Sequence, residues 1–210
     1  ALMSMALKDK SQRGEFIQGA YRSSAAILGI AFITNIYGNS GMAPLMIIGS
    51  VPLYNIMAVL VLSFTKPGQN GMSPELLKKT LKGIVTNPII LGILAGALWS
   101  LLRLPMPTIL SKTVSNLGSL TTPLGLMTMG AAFNWGEAKT GMGPAFVASF
   151  MKLFGLCTLF LPVAVLLGFR EAELIAILVM LGSSTTVSSY VMARNMGHSG
   201  VLSSSIVAIT

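Results

Sequence analysis

The sequence predicts an all-α membrane protein, because it is strongly apolar, sparsely charged and divided into apolar runs of helical length. Of its 210 residues, 53% are hydrophobic and only 10% are charged, whereas soluble domains carry about 25% charged residues. Several runs reach the roughly 20 residues that an α-helix needs to cross a bilayer. We therefore expect a lipid bilayer to surround the chain.

Seven apolar segments follow one another, separated by short polar turns. The longest polar stretch, residues 66–82, contains the helix breakers Pro67, Gly68, Gly71 and Pro74. Because the chain begins and ends inside apolar segments, we expect an internal piece of a larger protein, truncated at both ends. The predicted spans are residues 16–37, 42–64, 81–104, 113–133, 142–168 and 172–194, with a seventh beginning near Ser199.

The net charge of +8 indicates membrane topology rather than a nucleic-acid partner, because the basic residues fall mostly between the apolar spans. If residues 8–13 are cytoplasmic, the loops alternate from there and most of the basic residues face the cytoplasm, as the positive-inside rule requires. The cytoplasmic set is Lys8, Lys10, Arg13, Lys66, Lys78, Lys79, Lys82, Lys139 and Arg194, and the opposite set is Arg103, Lys112 and Arg170.

Residues 174–194 carry a polar cluster in the middle of a run of membrane-spanning length. The cluster is Gly182 followed by Ser183, Ser184, Thr185, Thr186, Ser188 and Ser189. Unpaired backbone is costly in lipid, so an interrupted helix survives only inside protein or beside a water-filled cavity. The pattern predicts an interruption whose hydroxyls contact a solute, although small hydroxyl residues also serve plain helix packing.

A four-residue echo indicates an internal repeat. Gly-Asn-Ser-Gly at 38–41 follows the first span, and Gly-His-Ser-Gly at 197–200 follows the sixth. Five spans separate the copies, so they cross the membrane in opposite senses, as in inverted-topology repeats with substrate near the midplane. We therefore predict an inverted repeat of two five-helix units. The offset of 159 residues pairs Ser24 with Ser183 and Gly29 with Ser188.

Two charged residues lie inside spans, where charge is expensive and usually functional. For Lys152, ten residues into the fifth span, three roles are open: attracting an anionic solute, snorkelling to a cavity, or donating to a backbone carbonyl. Arg22 lies near a span end, which favours snorkelling to the interface. The candidate substrate-binding residues are Ser183, Ser184, Thr185, Thr186, Ser188, Ser24, Gly29, Asn35 and Lys152.

Acidic and metal-binding side chains are scarce. The six acids fall in loops or at span edges, so no mid-membrane carboxylate is available to relay protons or bind sodium. One cysteine and one histidine in separate segments give no metal site and no nucleophile–base pair. We expect no metal, no cofactor and no enzymatic activity. A positive, acid-free site suits an anionic solute.

Five stretches spread over most of the chain carry a family resemblance. They are FIQGAYRSSAAILGIAF…YG at 16–38, PLYNIMAVLVL at 52–62, NPIILGILAGAL at 87–98, TPLGLMTMGAAF at 122–133 and SSYVMARNMG at 188–197. In this order they resemble the auxin efflux carrier family, which includes plant auxin exporters and bacterial organic-acid permeases. The resemblance implies a ten-helix inverted-repeat transporter whose fourth and ninth helices, here 16–37 and 172–194, are broken and cross at the substrate site.

The resemblance also implies a scaffold and a moving transport unit. Residues 1–65 would end the first repeat with transport-unit helices, and 66–80 would form a cytoplasmic loop. Residues 81–135 would be scaffold helices of the second repeat, and 142–210 its transport-unit helices, the last one truncated. We expect an integral protein of a bacterial plasma membrane, and consider a homodimer formed through the scaffold helices.

The chain departs from the family pattern at the crossing helices. Serine replaces the asparagine that often follows the arginine of the fourth helix, and Ala31 and Ser184 stand where crossover prolines are expected. Without prolines, the interruptions must depend on Gly29, Gly182 and the hydroxyls.

The predicted function is secondary transport of a small organic anion, such as a carboxylate, by elevator-like alternating access. The alternative is a sodium-coupled symporter of the bile-acid type with a related inverted-repeat fold. An acidic pair in helices outside this chain would favour that alternative.

Overall fold

The computed structural model describes residues 7, 10–39, 41–66, 74–133 and 135–210, and every regular element within these ranges is a helix. The remaining residues, with the predicted breakers Pro67, Gly68 and Gly71 among them, lie outside the described part. The all-α prediction is confirmed. The helices are α1 (Arg13–Tyr21), α2 (Ile30–Tyr37), α3 (Ala43–Phe64), α4 (Pro74–Val85), α5 (Pro88–Leu101), α6 (Thr108–Ala131), α7 (Trp135–Phe150), α8 (Leu156–Leu166), α9 (Glu171–Gly182), α10 (Ser188–Asn195) and α11 (Val201–Ile209).

Two π-helical turns and one short 3₁₀ turn complete the elements of the described residues. Lys10–Gln12 is the 3₁₀ turn before α1. The π turn Ala25–Gly29 leads directly into α2, and the π turn Met151–Gly155 joins α7 to α8 without a break. Because π turns are rare and often occur at functional sites, both positions are candidates for a functional role.

The helices expose apolar surface that suits lipid. In the described residues, Ala43–Phe64 and Gly141–Leu166 are long and apolar enough to span a membrane. Large apolar side chains are also exposed along α5 and α6, among them Leu94, Leu98 and Leu117. Soluble monomers rarely expose large apolar patches, so these rows of side chains fit a bilayer.

The region after α3 contains two helices where a single span was predicted. Residues 74–80 form the start of α4, with Pro74 at the first helical position that proline favours. The predicted span 81–104 is divided, since α4 ends at Val85 and α5 begins at Pro88. The reason is local, because a residue that precedes proline is disfavoured in the helical conformation.

Two apolar clusters hold together the helices that position the site. One joins α1, α7 and α11, and the other joins α3, α5 and α10. In the first, α1 and α11 pack closely at Gly19, where a Cβ would lie 2.5 Å from the terminal Cδ1 of Ile206 and would displace it. The buried members are Phe16, Ala145, Ala148, Leu202 and Ile206 in the first cluster and Ala58, Val59, Leu62, Ile90, Met192 and Ala193 in the second.

A buried carboxylate ties α1 to the start of α11. Glu15 is only 1% exposed, and its Oε1 accepts hydrogen bonds from the Gly200 N–H at 2.9 Å and the Ser199 hydroxyl at 3.0 Å. Its Oε2 accepts from the Ser203 N–H at 2.9 Å. The first N–H groups of a helix have no partner within the helix, and Glu15 supplies one. The sequence placed Glu15 at a span edge, but the structure buries it against a second helix.

Candidate functional site

Two helical segments are interrupted, and the interruptions lie against each other. α1 ends at Tyr21, and residues 22–24 are non-helical before the π turn begins at Ala25. α9 ends at Gly182, and residues 183–187 are non-helical before α10 begins at Ser188. The first residue after each helix is extended, with ψ of 140° at Arg22 and 156° at Ser183.

Direct hydrogen bonds join the two interruptions. The Ser24 N–H donates to the Ser184 carbonyl at 2.9 Å, and the hydroxyls of Ser23 and Ser183 are hydrogen-bonded to each other. The Thr185 hydroxyl donates to the Gly19 carbonyl in the last turn of α1 at 2.9 Å. Each interruption thus satisfies polar backbone that the other leaves unpaired, which is how non-helical backbone is tolerated at membrane depth.

Arg22 fills the space beside this crossing. Arg22 is 3% exposed, and its guanidinium donates to Asn55 Oδ1 at 3.0 Å, to the Ser188 hydroxyl at 2.8 Å and to Met192 Sδ at 3.2 Å. All three partners are neutral, and Nε has no partner among the described residues. The sequence favoured snorkelling to the interface, whereas the structure buries Arg22 between α3 and α10.

Asn55 holds the acceptor that faces the guanidinium. Its Nδ2 donates to the Val51 carbonyl one turn earlier in α3 at 2.8 Å, so its Oδ1 is turned towards Arg22. The buried Asn55 amide thus makes one hydrogen bond within α3 and one to Arg22 of the first interruption.

Lys152 lies in the π turn between α7 and α8 and is completely buried. Its Nζ donates to the Leu181 carbonyl at 2.7 Å and to the Met180 carbonyl at 3.4 Å. Both carbonyls belong to the last turn of α9, immediately before the second interruption. Of the three roles open in the sequence, donation to a backbone carbonyl is the one that the structure displays.

The two glycines expected to break the helices differ in position. α9 ends at Gly182, where a Cβ would lie 3.2 Å from Cys157 Sγ of α8. Gly29 is instead helical, at the junction of the π turn and α2, and a Cβ there would lie 3.2 Å from Val179 Cγ1. The first interruption precedes Gly29 because the Ser24 N–H donates to the carbonyl of Ser184, in the segment after α9, rather than to a carbonyl of its own helix.

The structure brings together most of the candidate residues, but not all of them. Ser24, Ser183, Ser184, Thr185 and Ser188 all take part in the contacts at the crossing. The Thr186 hydroxyl is local to the second interruption, where it accepts from the Ser188 N–H at 3.4 Å. Asn35 is exposed on α2, away from these contacts.

Sequence reasoning missed Arg22 as a site residue, although its signal was present. Arg22 is a charged residue in an apolar span, but its short sequence distance from the span end indicates an interfacial position. The interruption at residues 22–24 places it about nine helical residues into the bundle, a rise of about 13 Å. Its partners on α3 and α10 are 33 and 166 residues away in sequence, so no local pattern predicts them.

Metal and carboxylate chemistry is sparse at the crossing. Across the part of the chain that the structure describes, no group of three or more His, Cys, Asp or Glu side chains could hold a metal ion. The buried acid Glu15 uses both oxygens on the start of α11. The donors and acceptors at the crossing are instead hydroxyls, backbone groups, one amide and one guanidinium.

Comparison with known proteins agrees with this architecture. A family model described as "Membrane transport protein" matches residues 9–210, which is nearly the whole chain. Comparisons with curated proteins and with solved structures found no match. The matching family is one of transporters rather than enzymes, and it is the family of the auxin efflux carriers. The chain therefore belongs to the membrane transport protein family of auxin efflux carriers and is a membrane transporter.

Proposed function

We propose that this transporter carries a small organic anion, such as a carboxylate, by alternating access. The anion binds where the two interrupted helices meet, beside Arg22 and Ser188. The observation that carries the proposal is the buried guanidinium of Arg22, whose hydrogen-bond partners are all neutral.

The energetics of a buried cation favour an anionic ligand. Removing a charge from water costs several kcal/mol unless an opposite charge or a full set of hydrogen bonds compensates. Arg22 has three neutral partners and an Nε without one among the described residues. A carboxylate suits a guanidinium because it accepts two parallel N–H donors. The start of α10 adds to the attraction, since helix N-termini favour anions and Ser188 lies there within 2.8 Å of the guanidinium.

The inverted repeat belongs to the proposal, and the echoed turns support it. Gly38 and Gly41 have φ of 71° and 45°, and their counterparts Gly197 and Gly200 have φ of 84° and 75°. All four therefore occupy the left-handed conformation, which glycine adopts at little cost. The two turns that share the Gly-x-Ser-Gly sequence therefore also share the positive φ angles of their glycines.

The contacts at the crossing also support two-fold symmetry. Ser23 bonds to Ser183 and Ser24 bonds to Ser184, so each residue meets one 160 residues later. That spacing is within one residue of the 159-residue offset of the echo. Only residues that lie at a two-fold axis contact their own counterparts, so this spacing is the one expected if a pseudo-symmetry axis passes between these serines.

We further propose elevator-like movement against a scaffold that includes α5 and α6. The supporting contact is between Gly125 of α6 and Val187 in the second interruption, where a Cβ on Gly125 would lie 2.8 Å from Val187 Cγ1. Small residues permit such close approach between membrane helices. A contact surface without a side chain at Gly125 presents little steric obstruction to sliding of the second interruption along α6.

The test is uptake by the full-length transporter in reconstituted vesicles. The probes are a panel of labelled mono- and dicarboxylates, with succinamide as the uncharged partner of succinate. We expect uptake of at least one carboxylate and none of the amide. Arg22→Met should weaken uptake by about 30-fold or more, because breaking a buried charge pair costs about 2–5 kcal/mol. Arg22→Lys, which keeps the charge, should retain part of the activity.

Arg194→Met is the matched control. Arg194 is also a cation on the helix after the interruption, but it is exposed and donates to the Ser199 carbonyl at 3.0 Å. Its removal should leave uptake close to that of the wild type. Equal transport of amide and acid, or unchanged uptake by Arg22→Met, would refute the proposal.

A further inference from the structure

Lys152 places a positive charge on the end of an interrupted helix. It is 0% exposed, and its ammonium group lies 2.7 Å from the Leu181 carbonyl and 3.4 Å from the Met180 carbonyl. These carbonyls are in the last turn of α9, which ends at Gly182. The side chain reaches them from a neighbouring helix, 29 residues earlier in sequence.

The end of a helix is a cation-binding position by its chemistry. The last four carbonyl groups of a helix lack partners within it, and the helix dipole places partial negative charge there. In transporters with interrupted helices, such carbonyls at half-helix C-termini coordinate the coupling Na⁺. The carbonyls of Met180 and Leu181 are groups of this kind, and the atom that contacts them is the Lys152 nitrogen.

A π turn carries Lys152 at the point where its side chain contacts the end of α9. Lys152 belongs to the π turn Met151–Gly155, and π turns arise when an extra residue is accommodated within a helix. Close packing brings α8 near to α9, since a Cβ on Gly182 would lie 3.2 Å from Cys157 Sγ. The site is therefore built from two elements that are held at short range.

We propose that Lys152 is a tethered cation that occupies the place of a coupling metal ion at the C-terminal end of α9. This inference rests on the proposed transport function and deepens it by stating whether anion binding is coupled to a dissolved cation. The Lys152 ammonium group stabilises the end of the interrupted helix without any dissolved cation. Binding of the anionic solute is consequently independent of Na⁺ and K⁺.

The experiment measures thermal unfolding of the full-length protein in detergent, without any transport substrate. The probes are sodium, potassium, methylammonium and choline chloride at equal ionic strength. The wild-type Tm should be the same in all four salts. Lys152→Ala should lower the Tm in choline chloride, and sodium or methylammonium should restore it with a saturating dose dependence, because a ligand that binds only the folded state raises stability in that way.

Lys152→Met and Arg170→Ala are the controls. Methionine fills the space without a charge, so Lys152→Met should have a lowered Tm that no cation restores. Arg170 also donates to a helix-end carbonyl, that of Val165 at 2.6 Å, and to the carbonyl of Phe169 in the turn after α8 at 2.8 Å, but it is exposed. Water replaces it there, so Arg170→Ala should show no dependence on the cation.

Three outcomes would overturn the inference. A wild-type Tm that rises saturably with sodium would mean that the metal ion has its own site, and this result needs no variant. Lys152→Met as stable as the wild type would mean that α9 needs no charge at its end. A folded Lys152→Ala protein that no cation stabilises would mean that the site does not accept a free ion. None of these results depends on which solute is transported, so the anion proposal stands or fails separately.

Discussion

The buried carboxylate of Glu15 allows a quantitative test of how the two halves of the site are held together. Glu15→Gln preserves the size and shape of the side chain but removes its charge. The glutamine oxygen can still accept from the Ser199 hydroxyl and the Gly200 N–H. Its amide group would then face the Ser203 N–H, which is also a donor and now bonds to Glu15 Oε2 at 2.9 Å.

The expected loss of stability follows from these three bonds. A buried donor left without a partner costs about 1–3 kcal/mol. Each of the two remaining bonds changes from a charged to a neutral acceptor, a loss of about 1 kcal/mol apiece. The sum is about 3–5 kcal/mol, because none of the three donors gains a better partner and Glu15 is too deeply buried for water to compensate.

The assay is reversible unfolding in detergent micelles, followed by far-ultraviolet circular dichroism. Glu173→Gln is the control, since Glu173 also lies in the first turn of a helix but is exposed. Exposed charges at helix N-termini contribute about 0.3–1 kcal/mol, so the control should lose no more than that. If Glu15→Gln and Glu173→Gln are equally stable, the carboxylate does not hold α11 to α1 and the reasoning fails.

Two further predictions concern the crossing itself. Gly125→Ala should slow transport without preventing membrane insertion, because a Cβ there would lie 2.8 Å from the Val187 side chain of the second interruption. Gly118→Ala on the same helix is the control, since a Cβ there meets nothing within 4 Å and the variant should transport normally. Similar rates of vesicle uptake for the two variants would argue against a sliding contact. In a background without the native cysteine, cysteines at Ser23 and Ser183 should cross-link with a short thiol reagent, because their hydroxyls are hydrogen-bonded. Cysteines at Asn35 and Ser183 should not, and peptide mass spectrometry that found equal yields for the two pairs would contradict the crossing.

The sequence predicted the helical class and the membrane setting because both depend on composition and on run length. It also located the second interrupted segment, since Gly182 and the hydroxyls after it form a local signal in an otherwise apolar run. The end of α9 at Gly182 lies at that signal. Helix boundaries were less predictable where proline acts at short range, as at Pro88, which divides a predicted span into α4 and α5.

The charged residues could not be placed from the sequence, because burial depends on how far a helix continues. Arg22 has the same local surroundings whether its helix ends at the interface or stops inside the bundle. Lys152 lies inside a predicted span, and its three possible roles differ only in which groups surround the side chain. Its partners are backbone carbonyls of α9, and carbonyls carry no sequence signal.

The position of the first interruption shows why a local rule failed there. In the absence of proline, Gly29 was the expected break because glycine weakens a helix. Yet a single glycine costs only about 1 kcal/mol relative to alanine, and Gly29 stays helical where it packs against Val179. Ending α1 at Tyr21 instead requires partners for the freed backbone, and Ser184 and Thr185 of the other interruption supply them. Each interruption therefore exists because the other is present, so the crossing is a property of the pair of helices and not of either sequence alone.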